Sequence, residues 1–461
     1  MDVVLGADLG TSGLKLVALG ADGSTVAEAE ADYAVERPAP DRAETDVRIW
    51  RRALDETLAA VAPALAGARV LALGLSGQMH GAVLVDATGT ALRPALLWPD
   101  RRAIEELRAW REIPDADRAA LANPLVPGMT GPMLAWLARH EPDAVARAAA
   151  VLLPKDALRA TLLSGTDPAV TDRSDASATL LWDVVADHWS PAAVAAAGVP
   201  PELLPVVRAS SDVIGTAATP LGRVPVVVGG ADTPLALLAA GTTDGVQVNL
   251  GTGIQLLRPR WTPRPVADPV LHGYADVSGG WYAMAALQNG GSAWSWVCRV
   301  LDLSWSELFD AAEAAPAGAG GVAFRPFLTG ERGGVAGPDD RGSWSGLSAA
   351  TTRADLARAA VEGVCFAVGA AAGLLELPDD EAPVVLTGGG ARSAHVQQVL
   401  ADVLRRPVRH LRLRSASATG AAVLAARGVG LDVVPVRETG AVVEPSSAGE
   451  LAAAAERWRQ S

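Results

Sequence analysis

The sequence predicts an α/β protein built from two related domains. A chain of 461 residues is too long for one ordinary hydrophobic core. Short apolar, β-prone runs along it end in glycine-rich turns. Two of those turns, DLGTSG beginning at Asp8 and NLGTGI beginning at Asn249, resemble one another closely enough to suggest a weak internal duplication. Its period is far too long for a solenoid. The division is expected at 1–240 and 241–461, just ahead of the second turn.

The first segment reads as strand, tight turn, strand. Val3 to Ala7 is apolar and β-prone, the turn runs from Asp8 to Gly13, and Leu14 to Leu19 resumes. Ala21-Asp22-Gly23-Ser24 turns the chain into a third strand near Thr25 to Val35. Strands joined this tightly are antiparallel, so the sheet is mixed. Trp50 to Leu65 has helical spacing, and Val70 to Leu75 is a short buried strand. From about Ile104 to Ala197 most segments look helical, separated by proline-marked turns. Three further strands end in glycine-rich turns: Val224 to Val228 before Gly229-Gly230-Ala231-Asp232, Val246 to Leu250 before Gly251-Thr252-Gly253, and Val384 to Leu386 before Thr387-Gly388-Gly389-Gly390. The last runs into a helix expected over Ala391 to Arg406.

Composition narrows the function. The formal charge of −13 argues against a nucleic-acid or anionic-membrane partner, since both need a basic surface. It does not prevent phosphate binding, which backbone N–H groups can provide. Aromatic residues are only 4% of a chain that is 50% hydrophobic, so Val, Leu and Ala must fill most of the core. The two cysteines, Cys298 and Cys365, lie in apolar surroundings, which fits a reducing cytoplasm better than a disulfide framework. The N-terminus lacks the pattern of a signal peptide, and no run reaches the roughly 18 apolar residues of a membrane span. The nearest stretch, Gly363 to Leu375, reads as a buried helix. A soluble, cytoplasmic protein is expected. Of 39 basic residues only Lys15 and Lys155 are lysine. One of them is expected to make a charge contact that a planar guanidinium cannot replace.

The motifs point to phosphate chemistry. In DLGTSG, glycines let the backbone approach a phosphate closely and Thr11 and Ser12 add hydroxyl donors. Asp8, at the strand end, could hold a hydrated Mg²⁺ facing the phosphates. Alone, such a turn is an ordinary hairpin signature, but with NLGTG it could clamp one nucleotide from both sides. A Walker A loop would need a GK[ST] ending, which neither has. GGGARSAH puts three glycines before a helix, either as a flexible connection or as a flat surface for adenosine. In GGADT, Asp232 follows a buried strand and is either a helix N-cap or a general base. Ser76-Gly77-Gln78-Met79-His80-Gly81 offers an amide, a thioether and an imidazole suited to a polyol, and Trp98-Pro99-Asp100-Arg101-Arg102 could add sugar-binding groups.

Taken in this order, GADLGTSGLK, GLSGQMHG, VLLPKDALR, TDRSDASAT, FLTGER and LTGGGARS resemble the FGGY carbohydrate kinases, and within them the xylulokinases, over about residues 3 to 427. The resemblance implies an actin-like (ribonuclease H-like) ATPase fold whose two α/β domains close over ATP-Mg²⁺ and a sugar. It implies that Asp232 is the base that takes a proton from the sugar's terminal hydroxyl and that Asp8 helps hold Mg²⁺. Gly10, Thr11, Ser12, Gly251 and Thr252 would then lie near the phosphates, and Gly389, Gly390 and Ala391 near the adenosine. Gln78, Met79, His80, Gly81, Trp98, Asp100 and Thr233 would line the sugar pocket. Family members are often dimers, although no apolar stripe here marks an interface.

Four departures from the family pattern stand out. Thr233 follows the base where Asn is usual, WPDRR replaces WNDxR, Gly253 replaces a Ser, and Gly333-Gly334 replaces a Thr-Pro pair. The expected reaction is phosphorylation of D-xylulose. A kinase for another pentulose or a sugar alcohol, and a catalytically silent sugar sensor on the same fold, are the alternatives.

Overall fold

The computed structural model describes residues 1–163, 165–378, 382–446 and 449–460. Its frame is a pair of seven-stranded sheets. The first contains β1 (Asp2–Leu9), β2 (Gly13–Gly20), β3 (Thr25–Asp32), β4 (Arg69–Gly77), β5 (Val213–Thr219), β6 (Gly222–Val227) and the short β7 (Gly230–Ala231). The second contains β8 (Gln247–Leu250), β9 (Ile254–Pro259), β10 (His272–Ala275), β11 (Trp281–Leu287), β12 (Val384–Thr387), β13 (Val408–Arg412) and β14 (Glu438–Val443).

The two sheets share one plan. The first runs β5-β6-β4-β1-β2-β3 and the second β14-β13-β12-β8-β9-β11-β10. In each, the central strand (β1 or β8) has an antiparallel hairpin partner on one side and a parallel neighbour on the other. Beyond that neighbour lies another parallel strand, and then an antiparallel edge. DLGTSG and NLGTGI therefore occupy the same place, the tip of the hairpin after the central strand. The third glycine turn is different in kind. Gly388 follows β12, whose counterpart is β4; Thr387 is level with Asn249 as Ser76 is with Asp8, so GGG corresponds in position to Gly77-Gln78-Met79. This paired arrangement is the actin-like architecture.

The tight early turns produced the expected hairpin. β3 stops at Asp32, and helix α1 (Val47–Val61) starts earlier than its spacing suggested because Asp46 caps it through the Arg48 N–H. The region between residues 104 and 197 is less helical than expected. It holds short helices together with two-stranded pieces at Ala150–Leu152, Val170–Asp172, Trp182–Asp183 and His188–Trp189. The helix expected over Ala391 to Arg406 is a 3₁₀ turn, Gly389–Arg392, followed after Ser393 by an α-helix over Ala394–Leu404. Ser393 caps that helix by accepting from the Val396 N–H.

The apolar stretch near Gly363 belongs to the helix Arg353–Leu374. It is long and apolar enough to cross a membrane but is mostly buried in the second half's core. Cys298 and Cys365 are buried free thiols. Two helices join the halves, α2 (Asp232–Ala240) and α3 (Ala416–Gly428). Although it lies between β13 and β14 of the second sheet in sequence, α3 packs on β1, β4 and α2.

Candidate active site

The site lies where the strand ends of the first sheet meet the glycine turns of the second. Asp8 on β1 is level with Ser76 on β4, and Ser76 is level with Gly230 on β7. One row of the sheet thus carries Asp8 and Ser76 and leads, two residues past Gly230, to Asp232. The Ser76 hydroxyl donates to Asp8 Oδ1 at 2.7 Å. Burial pushes Asp8 above the usual carboxylate range, opposed by Ser76 and by the charge of Lys15.

Asp232 opens helix α2, whose N-cap position is Ala231, with no side-chain cap. The cap alternative therefore gives way: the carboxylate is not used as one. Burial, and then the negative charge of Asp8, push it up to about 7. The Thr233 hydroxyl donates to Asp232 Oδ1 at 3.1 Å and opposes that rise. The Asn-to-Thr departure thus places a hydroxyl donor directly on the candidate base.

The first turn is held from three sides. Gly10 N–H donates to the Gly13 carbonyl at 2.9 Å. The Tyr33 hydroxyl donates to the carbonyls of Gly10 at 2.7 Å and Gly13 at 3.2 Å. Gln78 Nε2 donates to the Gly10 carbonyl at 3.1 Å, and Trp98 Nε1 donates to Thr11 Oγ1 at 2.8 Å. Ser12 is exposed at the tip. Gln78 and Trp98, expected in the sugar pocket, also tie their segments to the first turn.

The second turn rests on the start of the helix Gly291–Leu301. Gly291 N–H donates to the Gly251 carbonyl at 2.9 Å and Ser292 N–H to the Thr252 carbonyl at 3.0 Å. Gly253 packs so closely that a Cβ there would stand 2.7 Å from the Leu287 carbonyl. Beside this turn Gly388, at φ 89°, approaches the Leu250 carbonyl. Gly389 is exposed, but Gly390 is buried against Trp294 and Ala391 is a core residue. Of the three residues expected beside adenosine, only Gly389 presents open surface. A cavity of about 310 Å³ is lined by Asp232, Thr233, Asn249, Gln255, Thr387 and Gly388, among others. It joins the candidate base to the turn after β12.

Of the residues expected on the sugar side, Met79 and His80 face residues of the second sheet, whereas Gly81 packs on Leu96 and Pro154 of the first half. His80 and Gly81 both take left-handed backbone, φ 67° and 80°. For His80 this is an uncommon conformation, and such outliers gather at functional sites. His80 Nδ1 lies 2.5 Å from the Ala178 carbonyl, which fixes the proton on Nδ1 and leaves Nε2 as an acceptor. Burial is the main reason its pKa falls to about 4, so the ring is neutral. Tyr274 stands at a ring distance of 6.3 Å from His80, and the Tyr282 hydroxyl lies 3.9 Å from Met79 Sδ.

Asp100 is a correction. It is 1% exposed, and its carboxylate is taken up by the Ala43 N–H at 2.7 Å and by Arg102, whose Nε and Nη2 donate at 2.9 and 2.8 Å. It holds its loop together and does not face an open pocket. Other residues were not anticipated. Arg332, exposed at the end of FLTGER, contributes positive charge that helps hold down the pKa of His80 and of His272. His272 Nδ1 lies 3.0 Å from Asn123 Oδ1. The motif around Arg332 was visible in the sequence, but nothing local assigned it a direction.

Comparison with known proteins agrees with this geometry. The model of the FGGY family of carbohydrate kinases, N-terminal domain, matches residues 3–239, and that of the C-terminal domain matches residues 246–429. The chain belongs to the FGGY family of carbohydrate kinases. It is 33% identical over 412 residues to a xylulose kinase of Escherichia coli (strain K12), covering 87% of this chain and 84% of that one. It is 35% identical over 445 residues to a xylulose kinase of Streptomyces rubiginosus, covering 92% and 87%. The crystal structure of xylulose kinase from Rhodospirillum rubrum superposes with a TM-score of 0.90 at 27% identity, covering 99% of this chain and 97% of that one. This FGGY kinase is accordingly an ATP-dependent sugar kinase, with ATP as phosphate donor.

Proposed function

We propose that this kinase transfers the γ-phosphoryl group of ATP to the terminal hydroxyl of D-xylulose, giving D-xylulose 5-phosphate and ADP, with Asp232 as general base. The observation that carries the reading is Asp232 itself. It sits at the head of a helix with its pKa lifted to about 7 and shares a cavity with the turn after β12. A base titrating near neutrality is half-ready at working pH and strong enough to take a hydroxyl proton as the nucleophile bonds to phosphorus. The substrate O5–H bond breaks toward Asp232, the O5–P bond forms, and the bond from the γ-phosphorus to the bridging oxygen breaks to release ADP. Such transfers depend on positioning and charge neutralisation more than on covalent chemistry.

The flanking residues suit those tasks. Thr11, Ser12, Gly251 and Thr252 offer hydroxyls and close backbone to the phosphates, with Gly389 on the adenosine side. His80 Nε2 accepts from a sugar hydroxyl, and Met79 gives an apolar contact. Asp8 fits a Mg²⁺ ion: it is a hard oxygen donor at the strand end, and Mg²⁺ needs only one or two carboxylates besides phosphate and water. Among the described residues no group of three or more potential ligands forms a closed metal cage. When bound, Mg²⁺ would neutralise phosphate charge. The division between sugar-side and nucleotide-side halves falls at 240/241, between α2 and β8.

ADP release with Mg²⁺-ATP and a panel of pentuloses and polyols tests the proposal. D-xylulose should give the highest kcat/KM, and Asp232→Ala should lower kcat by roughly 10²–10⁴-fold. Preference for another sugar would move the substrate but keep the mechanism. Undiminished turnover in Asp232→Ala would remove Asp232 as base.

A further inference from the structure

Behind the candidate base lies a buried ionic cluster that the reaction as described does not use. Lys155 is fully buried, and its Nζ stands 2.6 Å from Asp156 Oδ1, 3.1 Å from Asp172 Oδ1 and 2.9 Å from Asp175 Oδ2. Arg159 Nη1 meets Asp156 at 2.5 Å and also donates to the Val228 carbonyl at 2.6 Å. Burial works to lower the Lys155 pKa, but the three carboxylates outweigh it and hold it above its ordinary range. Burial, together with the charges of Asp172 and Asp156, pushes Asp175 up to about 8.

The cluster has a definite outlet. Asp172 Oδ2 accepts from the Ser174 hydroxyl at 2.5 Å and from the Ser210 hydroxyl at 2.9 Å. The Ser174 oxygen in turn accepts from the Ala231 N–H at 2.9 Å. Ala231 is the residue before Asp232. On the other side, Gly229 is at φ 88°, and a Cβ there would stand 2.3 Å from the Leu75 carbonyl and 3.4 Å from the Lys155 side chain. The Val228 carbonyl is held by Arg159. The segment 228–231 is thereby fixed at both ends by one buried polar network.

We propose that Lys155, Asp172 and Ser174 form a positioning relay that sets the direction of the Asp232 carboxylate through the backbone of Ala231. The proposal rests on the reading of Asp232 as base. Chemistry explains why lysine is kept in a chain that otherwise uses arginine. An ammonium projects three N–H donors in three directions and can serve three carboxylates around one atom, whereas a planar guanidinium presents its donors in a single plane. The relay touches neither substrate. Its effect should appear in turnover and not in binding, because misplacing a reacting group by a fraction of a bond length weakens the transition state while leaving sugar and nucleotide contacts in place.

The test is steady-state kinetics of the full-length Ser174→Ala variant with Mg²⁺-ATP and D-xylulose, beside wild type, Lys155→Met and Asp232→Ala. The folded fraction is measured by circular dichroism, since Lys155→Met leaves buried carboxylates uncompensated and is the variant that can fail to fold. Ser174→Ala removes one hydroxyl and leaves the ion cluster intact. The expected result is a kcat reduced ten- to a hundredfold per folded molecule, with KM for both substrates within about twofold of wild type. An unchanged kcat overturns the relay, as does a loss confined to KM or explained by the unfolded fraction. If Asp232→Ala also keeps full turnover, the base assignment has failed. If Asp232→Ala is silent while Ser174→Ala is fully active, the relay alone has failed.

Discussion

Asp232, the proposed base, carries its role at a cost to the fold. Its ordinary pKa of 3.8 is lifted to about 7, first by burial and then by Asp8. For the free enzyme, kcat/KM should rise about tenfold per pH unit below 7 and flatten above it, because only the ionised form accepts a proton. The effect on stability has the opposite sign. Between pH 4 and 7 the folded protein holds a proton that the unfolded chain has released, so the contribution of this group is present at low pH and lost as pH rises through 7. Asp232→Asn should therefore abolish turnover yet raise the apo-protein's melting temperature over wild type at pH 8, with the gain shrinking toward pH 4. Equal melting temperatures at pH 8 would contradict that account. At this scale the sequence was legible where placement is local: Asp8 ends β1 beside the first turn, and Asp232 follows the buried strand β6 and short β7 at the head of α2. It misdirected where function depends on which way a side chain faces. Asp100 in WPDRR looked like a sugar ligand until Arg102, two residues on, turned out to claim its carboxylate. Ala391 follows glycines but lies in the core.

Helix α3 illustrates how elements are placed by what is missing from them. A Cβ on Gly6 would lie 1.9 Å from the Ala418 carbonyl, one on Gly74 2.1 Å from the Ala421 carbonyl, and one on Gly420 1.9 Å from the Leu235 carbonyl. Three glycines thus let α3 rest directly on β1, β4 and α2, closer than any side chain permits. Even one methyl at Gly420 must push two helices apart. Gly420→Ala should cost at least about 1–3 kcal/mol, the range of an overpacked core, read as a lower denaturant midpoint at unchanged slope. Gly373, near the end of the helix Arg353–Leu374, has nothing within 4 Å of a Cβ, so Gly373→Ala should be neutral or stabilising by up to about 1 kcal/mol. A Gly420→Ala variant as stable as wild type would mean that the close approach is not structural. The strands bounded by tight turns, β1, β2 and β8, could be read from the sequence. Strand β13 could not, because its parallel partner β12 lies across a whole helix and its pairing is set by tertiary packing. The Gly333-Gly334 departure is also explained at this scale: both residues take positive φ, 73° and 75°, a conformation closed to proline.

At the scale of the whole molecule, shared packing governs how independent the two halves are. Their sheets follow one plan, the pattern of two bodies that fold separately. The packing argues otherwise. One apolar cluster takes Met79, Leu96, Trp110 and Leu134 from the first half and Leu257, Tyr274, Tyr282 and Met284 from the second. A second takes Val4, Val17 and Leu19 from the first sheet and Ala418, Ala422 and Ala426 from α3. Polar contacts cross as well. Asn123 Nδ2 donates to the Gly273 carbonyl at 3.1 Å, and Gly273 N–H donates to the Ala122 carbonyl at 2.7 Å. Neither half could lose its structure without exposing core residues of the other. Unfolding should therefore be a single calorimetric transition, with van't Hoff and calorimetric enthalpies close to equal, and not two transitions assignable to 1–240 and 241–461. Saturating ATP should move that whole transition upward even though most of its expected contacts lie in the second half, since a ligand at 100 times its Kd adds about 2.7 kcal/mol to whatever unit unfolds with its site. Two resolved peaks, with ATP shifting only one of them, would show that the halves are thermodynamically separate and that the shared clusters do not couple them.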